Sequence, residues 1–233
     1  MKIRTSQERG HANHGWLDSY HSFSFASYHD PKWMGFSVLR VINEDVVEPA
    51  QGFGMHSHQN MEIITYILQG NLAHKDSLGN VEVIHQGHVQ RMTAGTGIRH
   101  SEFNASDTEP VHLLQIWILP NQQNLTPSYE DKFFEDAQKH NQWCLLASEK
   151  GENNSLLVHQ DMSLFSAKLS ERKTLDYALK DNRSAYLQVA SGSVEINQQV
   201  LNAGDAAMFD AAQIIKISAV DNSEILLFDL PAH

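Results

Sequence analysis

The chain has a single cysteine, Cys144, among 233 residues. No intrachain disulfide can form, so packing alone must hold the fold. Cys144 itself reads as a small residue in or near a second core rather than as a catalytic thiol. Basic residues are also scarce: 17 Lys and Arg stand against 28 Asp and Glu, a formal net charge of −11. The imbalance runs through both halves, with 8 basic and 12 acidic residues in 1–120 and 9 and 16 after it. Without a basic face, direct binding to nucleic-acid phosphates is not expected. No apolar run approaches the length that spans a bilayer. The opening MKIRTSQERGHANHG lacks the apolar core of a secretory signal. The expectation is a cytoplasmic chain with no membrane attachment.

What remains is an ordinary globular composition, 41% apolar and 19% charged. The length suits one large domain or two modest ones, and either can bury a proper core. Most segments read as short strands between turn signals. Residues 36–42, 62–69, 71–77, 81–86, 88–92, 99–104 and 111–119 are rich in Val, Ile, Thr, Tyr and Phe. Turns such as QGN at 69–71, SLGN at 77–80 and AGTG at 94–97 separate them. Residues 155–169, 184–197, 206–210, 214–219 and 224–230 repeat the style. YLQVASGSVEINQQVLNAGDAAMF echoes the earlier TYILQGNLAHKDSLGNVEVIHQGHVQRM. The expected fold class is all-β, as two related domains over 1–130 and 131–233 with few short helices. A polar connection over 119–142 joins them, with YEDKFFEDAQ (129–138) as a short helix.

Histidine is unevenly placed: eleven of the fourteen lie before residue 121. GMHSHQNME (54–62) holds two of them one residue apart. On a strand, His56 and His58 point to the same side, roughly 6–7 Å apart at their bases. Two imidazoles so spaced can close on one metal ion. AGTGIRHSEFN (94–104) offers a second pair, His100 and Glu102, again at i and i+2. Two adjacent strands of this kind present three nitrogens and one oxygen. Such donors suit Fe, Ni, Cu, Co, Mn or Zn, while soft thiolates are missing. Glu62 shares parity with His56 and His58, so an unbroken strand would place it on their face too.

The other histidines carry blander readings. His11, His14 and His21 are expected to hydrogen-bond the chain into place. His74, His85 and His88 lie near turns and read as solvent-facing, and His112 as a satisfied core group. Phe23, Phe25, Phe53 and Trp117 read first as core, and second as the wall of a pocket for a flat substrate. The C-terminal half has no His-x-His pair, and His159 stands alone in LVHQDM. That half is expected to bind no metal and to cover and shape the entrance of the first.

ERGHANHGWLDSYHSFSFA, DPKWMGFSVLRVI, HSHQNMEIITYILQG, HKDSLGN, AGTGIRHSEFN and LLQIWILP together resemble the pirin family of the cupin superfamily. The resemblance is dense from about residue 8 to 120 and weaker beyond. It implies two tandem cupin-type, jelly-roll-like β-barrels with one divalent metal in the N-terminal barrel. Carried over, the metal ligands are His56, His58, His100 and Glu102, with iron placed ahead of the other five metals. In the wider cupin pattern the acidic ligand is instead the position of Glu62. Glu102 ranks first, which leaves Glu62 to orient a ligand or stand near substrate.

Some bacterial pirins are quercetinases, which open a flavonol ring with O2 and release carbon monoxide and a depside. The implied activity is therefore a metal-dependent dioxygenase acting on a small phenolic substrate. Glu102 or Glu62 would accept the substrate's hydroxyl proton. The alternative implied by eukaryotic members is an iron-containing, redox-responsive transcriptional cofactor that works through a protein partner.

Overall fold

The computed structural model describes residues 1–232, and nearly every regular element in it is a strand. The chain divides into two compact units that are not contiguous in sequence. One gathers Gly10–Phe133 with Leu156–Gln160; the other holds Met1–Arg9, Phe134–Ser155 and the chain from Asp161 onward.

In the N-terminal unit, two antiparallel sheets carry the strands. The larger runs in the order Ser128–Phe133, His88–Thr93, Glu62–Gln69, Val111–Ile118, Leu39–Val47, Leu17–His21, Gly10–Asn13. The smaller runs Gly52–His58, Ile98–Asn104, Asn71–Asp76, Val81–His85. Alternation decides which side chains point inward. Val41 and Val47 are buried on the same strand parity as Asn43 and Asp45. Ile98, His100, Glu102 and Asn104 are buried while Arg99 and Phe103 are exposed. The inward positions of this unit are thus a mixture. Its apolar residues form separate clusters, one around Val47, Ile67, Leu72 and Val111, another around Ile63, Met92 and Ile98.

The C-terminal unit pairs Lys2–Arg4, Ala206–Phe209, Arg183–Ser191, Ser223–Pro231, Ser163–Leu169 and Cys144–Ser148 in one sheet. Thr174–Leu179, Gln213–Ala219, Ser193–Ile196 and Gln199–Asn202 form the other. An apolar cluster packs between them, with Leu187, Val189, Phe209, Ile217 and Leu227 at or near full burial. Cys144 is buried in this unit. Burying an apolar side chain contributes about 1.5–3 kcal/mol, so an interior of this kind is built for stability. The polar interior of the N-terminal unit gives up some of that, which points to a site.

Two local expectations fail. Residues 129–138 are not one helix: Ser128–Phe133 is a strand and only Asp136–Lys139 is helical. Ser128–Phe133 pairs residue for residue with His88–Thr93, and that ladder outweighs local helix preference. Residues 155–169 are not one strand either. Leu156–Leu157 and Ser163–Leu169 are separate, and the segment between crosses the division between the units.

Candidate metal centre and cavity

His56 and His100 sit directly opposite each other on neighbouring strands, as do His58 and Ile98. The ring centroids of His56, His58 and His100 form a triangle with sides of 4.8, 4.4 and 4.9 Å. Each ring offers a nitrogen within 4.8 Å of the others. The pairing shifts register just beyond, from His100 opposite His56 to Glu102 opposite Phe53. One extra residue on the Gly52–His58 strand makes a bulge, which turns Phe53 to the same interior as His56. Gly52 is required there: a Cβ would overlap the Glu102 carbonyl oxygen on the paired strand.

Two of the imidazoles, His58 and His100, are held in the neutral form. Burial, reinforced by the neighbouring imidazoles, pushes His100 down to about 3 and His58 down to about 4. His56 Nδ1 lies 2.8 Å from the Gly54 carbonyl oxygen, so it is the N–H that donates and Nε2 carries the lone pair. Both ring nitrogens of His100 are buried without a hydrogen-bond partner among the described residues. An unsatisfied buried polar group costs about 1–3 kcal/mol. A cation bound by one of these nitrogens would offset part of that cost, and three imidazoles with no thiolate fit a divalent first-row metal.

Glu102 is buried beside this triangle. Its Oε2 accepts from Gln115 Nε2 at 3.0 Å, and the Thr65 hydroxyl lies 3.5 Å from Oε1. A carboxylate oxygen of Glu102 comes within 4.8 Å of nitrogens of His100 and His74. It therefore touches the imidazole set through His100.

Glu62 goes elsewhere. The chain breaks after His58, with Asn60 at φ 51°, and Glu62 opens a strand of the other sheet. The unbroken strand on which its shared face depended does not exist. Fully buried, Glu62 accepts from the Thr93 hydroxyl at 3.1 Å and the His159 backbone N–H at 3.3 Å. His159 Nδ1 lies 3.5 Å from Glu62 Oε1, so His159 does not stand alone. Burial raises the Glu62 carboxyl above its usual range.

His74 also departs from expectation. It is buried at 1% exposure, stacked on Tyr129 at 4.7 Å and 3.2 Å from Asp76. Leu72, His74 and Asp76 alternate inward, a signal that proximity to the turn obscured. His85 is exposed and His88 half-buried. His112 bonds Glu44 at 3.0 Å, His11 bonds Asp18 at 2.6 Å and His21 bonds Ser19 at 2.9 Å.

His56, His58 and Glu102 open onto a cavity of about 550 Å³. Trp16, Phe25, Phe53 and Trp117 line it, while Phe23 is buried. Trp117 meets His58 edge-on at 5.0 Å and Phe25 at 5.4 Å. Asp45, on the far sheet, lines the same cavity. Burial raises its carboxyl to about 7, against the pull of a hydrogen bond from Ser19.

Residues 2–118 match the family described as Pirin. The chain belongs to the pirin family. Residues 145–230 match the quercetinase C-terminal cupin domain, so the two barrels form a two-domain cupin fold. This pirin is 49% identical to a quercetin 2,3-dioxygenase of Escherichia coli K12 over 98% of both chains. It is 41% identical to a pirin-like protein of Caulobacter vibrioides over 94% of this chain and 95% of that one. The crystal structure of the E. coli pirin YhhW in complex with nickel(II) superposes at a TM-score of 0.95. The two share 48% identity, over 100% of this chain and 99% of that one.

Proposed function

We propose that this pirin is a metal-dependent dioxygenase that opens a flavonol ring with O2, releasing carbon monoxide and leaving a depside, the ester of a phenolic acid with a phenol. One observation carries the reading: His56 and His58, two corners of an imidazole triangle, face an aromatic-walled cavity of about 550 Å³. That volume lies within the roughly 300–1,000 Å³ of small-molecule sites. The name quercetin 2,3-dioxygenase, borne by its E. coli relative, supports the same reaction.

In this reading His56, His58 and His100 would hold the metal, with Glu102 as the acidic member of the set. Iron is the metal we place first; nickel, copper, cobalt, manganese and zinc suit the same donors. When bound, a divalent metal supplies Lewis acidity that favours the ionised form of a substrate hydroxyl. The protein does the rest. The hydrogen bond from His56 Nδ1 to Gly54 fixes that ring. Gln115 holds Glu102 from one side, so its carboxylate is aimed and available to take the hydroxyl proton. Trp16, Phe25, Phe53 and Trp117 offer faces and edges to a flat polyphenol and exclude water around it. One buried thiol fits a reducing cytoplasm.

The test is oxygen uptake and carbon monoxide release with quercetin, on protein stripped of metal and reloaded with each candidate ion. Turnover that follows metal loading supports the reading. Full loading without uptake on any phenolic substrate overturns it.

A further inference from the structure

The cavity has a second polar wall that the imidazole cluster does not use. Asn43 and Asp45 project from Leu39–Val47 at positions where the same strand otherwise buries Val41 and Val47. Asn43 is only 3% exposed and Asp45 4%. In the ladder, Ser19 lies opposite Asp45 and His21 opposite Asn43. The Ser19 hydroxyl bonds Asp45 Oδ1 and lies 2.9 Å from His21 Nε2. Asn43 Oδ1 is buried without a hydrogen-bond partner among the described residues. Both Asn43 and Asp45 line the cavity.

Polar side chains at inward strand positions are destabilising unless they are paired. Apolar residues would fill the same space, as they do in the apolar cluster of the C-terminal unit. Here Ser19, backed by His21, holds one oxygen of the Asp45 carboxyl, while the buried Asn43 carbonyl oxygen just behind the cavity surface is an acceptor without a partner among the described residues. A phenolic hydroxyl is a donor of matching chemistry.

We propose that Asn43 and Asp45 form a recognition subsite for a ring hydroxyl of the substrate, separate from the hydroxyl handled beside the imidazoles. Ser19 and His21 are positioning residues that fix Asp45. The subsite selects polyhydroxylated flavonols over flavonols with bare outer rings. It rests on the flavonol reading of the same cavity, which it makes more specific. A wall built to bond a hydroxyl discriminates against the analogue that lacks it, because its own polar groups are then left unpaired.

The test is anaerobic binding, read by tryptophan fluorescence, since Trp16 and Trp117 line the cavity. The probes are quercetin and 3-hydroxyflavone, which lacks the outer-ring hydroxyls. For the wild type, the affinity ratio should favour quercetin by about tenfold or more, the worth of a hydrogen bond to a buried polar group. Asn43→Leu, and independently the gentler Asp45→Asn, should each bring that ratio down several-fold. A ratio unaltered in both variants overturns the subsite, as does an equal loss of both ligands. If the wild type binds with the expected ratio but takes up no oxygen, the dioxygenase reading falls and the subsite stands. If it takes up oxygen with both ligands and shows no preference in binding, the subsite alone falls. If it binds neither, both fall.

Discussion

His56 and His100 face each other across two paired strands, with ring centroids 4.4 Å apart and their residues in direct register. That pairing brings together two segments more than forty positions apart in sequence. It leaves His100 with both nitrogens buried and unbonded among the described residues. A metal answers this arrangement. His56→Ala, His58→Ala and His100→Ala should each lose stoichiometric metal while keeping the β-rich circular dichroism of the wild type. The interior clusters around Val47 and Ile63 do not depend on these rings. Full metal content in any of the three variants, measured by elemental analysis, contradicts the assignment.

The depressed imidazoles set the acid limit of metal binding. A proton and a metal compete for the same lone pair, so the apparent affinity of an imidazole for metal starts to fall only once the pH drops below its own pKa. An ordinary histidine does this near pH 6.5. His58 and His100 do so only at about 4 and about 3. Three ordinary imidazoles would give log affinity a slope of about three per pH unit between pH 5 and 6. The expected slope is well below that, measured by competition with a chelator of known pH dependence.

The two glutamates separate cleanly. Glu102→Gln should weaken metal and abolish turnover, because an amide is a poorer donor than a carboxylate and cannot take the substrate's proton. Glu62→Gln should keep the metal. Its effect belongs to the segment Leu156–Gln160, whose His159 amide bonds the Glu62 carboxylate at 3.3 Å. Hydrogen exchange at residues 156–160 should quicken in Glu62→Gln and not in Glu102→Gln. Metal lost from Glu62→Gln and kept in Glu102→Gln reverses the two roles.

Much of this was legible in the sequence because strands write themselves with a period of two. That period places His56 with His58 and His100 with Glu102. It misled at Glu62, since the chain turns at Asn60 and changes sheet, and no residue type at 59–61 announces which sheet follows. It was available but unused at His74, whose alternation with Leu72 and Asp76 was set aside for its nearness to a turn. Asn43 and Asp45 lie just beyond the apolar run at 36–42, and nothing in the local sequence marks them. Their importance appears only when Ser19 and His21 arrive opposite them. The strand at Ser128–Phe133 depends wholly on its distant partner and has no local signal.

Gly52 tests the bulge that aims Phe53 and His56. Gly52→Ala would drive a Cβ into the Glu102 carbonyl and the Phe103 backbone, so the two donor-bearing strands must separate. Gly54→Ala, where nothing lies within 4 Å of the added Cβ, is the control. Metal affinity should drop by about tenfold or more in the first, the scale on which lost support of a ligand is felt. It should hold in the second. Equal affinity in both contradicts the role given to the bulge.

The most direct measurement is the stoichiometry of a single turnover. Protein carrying one metal per chain is mixed anaerobically with quercetin and then exposed to O2, while oxygen, carbon monoxide and flavonol are followed together. The expected result is one O2 consumed and one carbon monoxide released per flavonol lost, with no reaction in His100→Ala. Flavonol loss without carbon monoxide, or equal rates in His100→Ala, would contradict it.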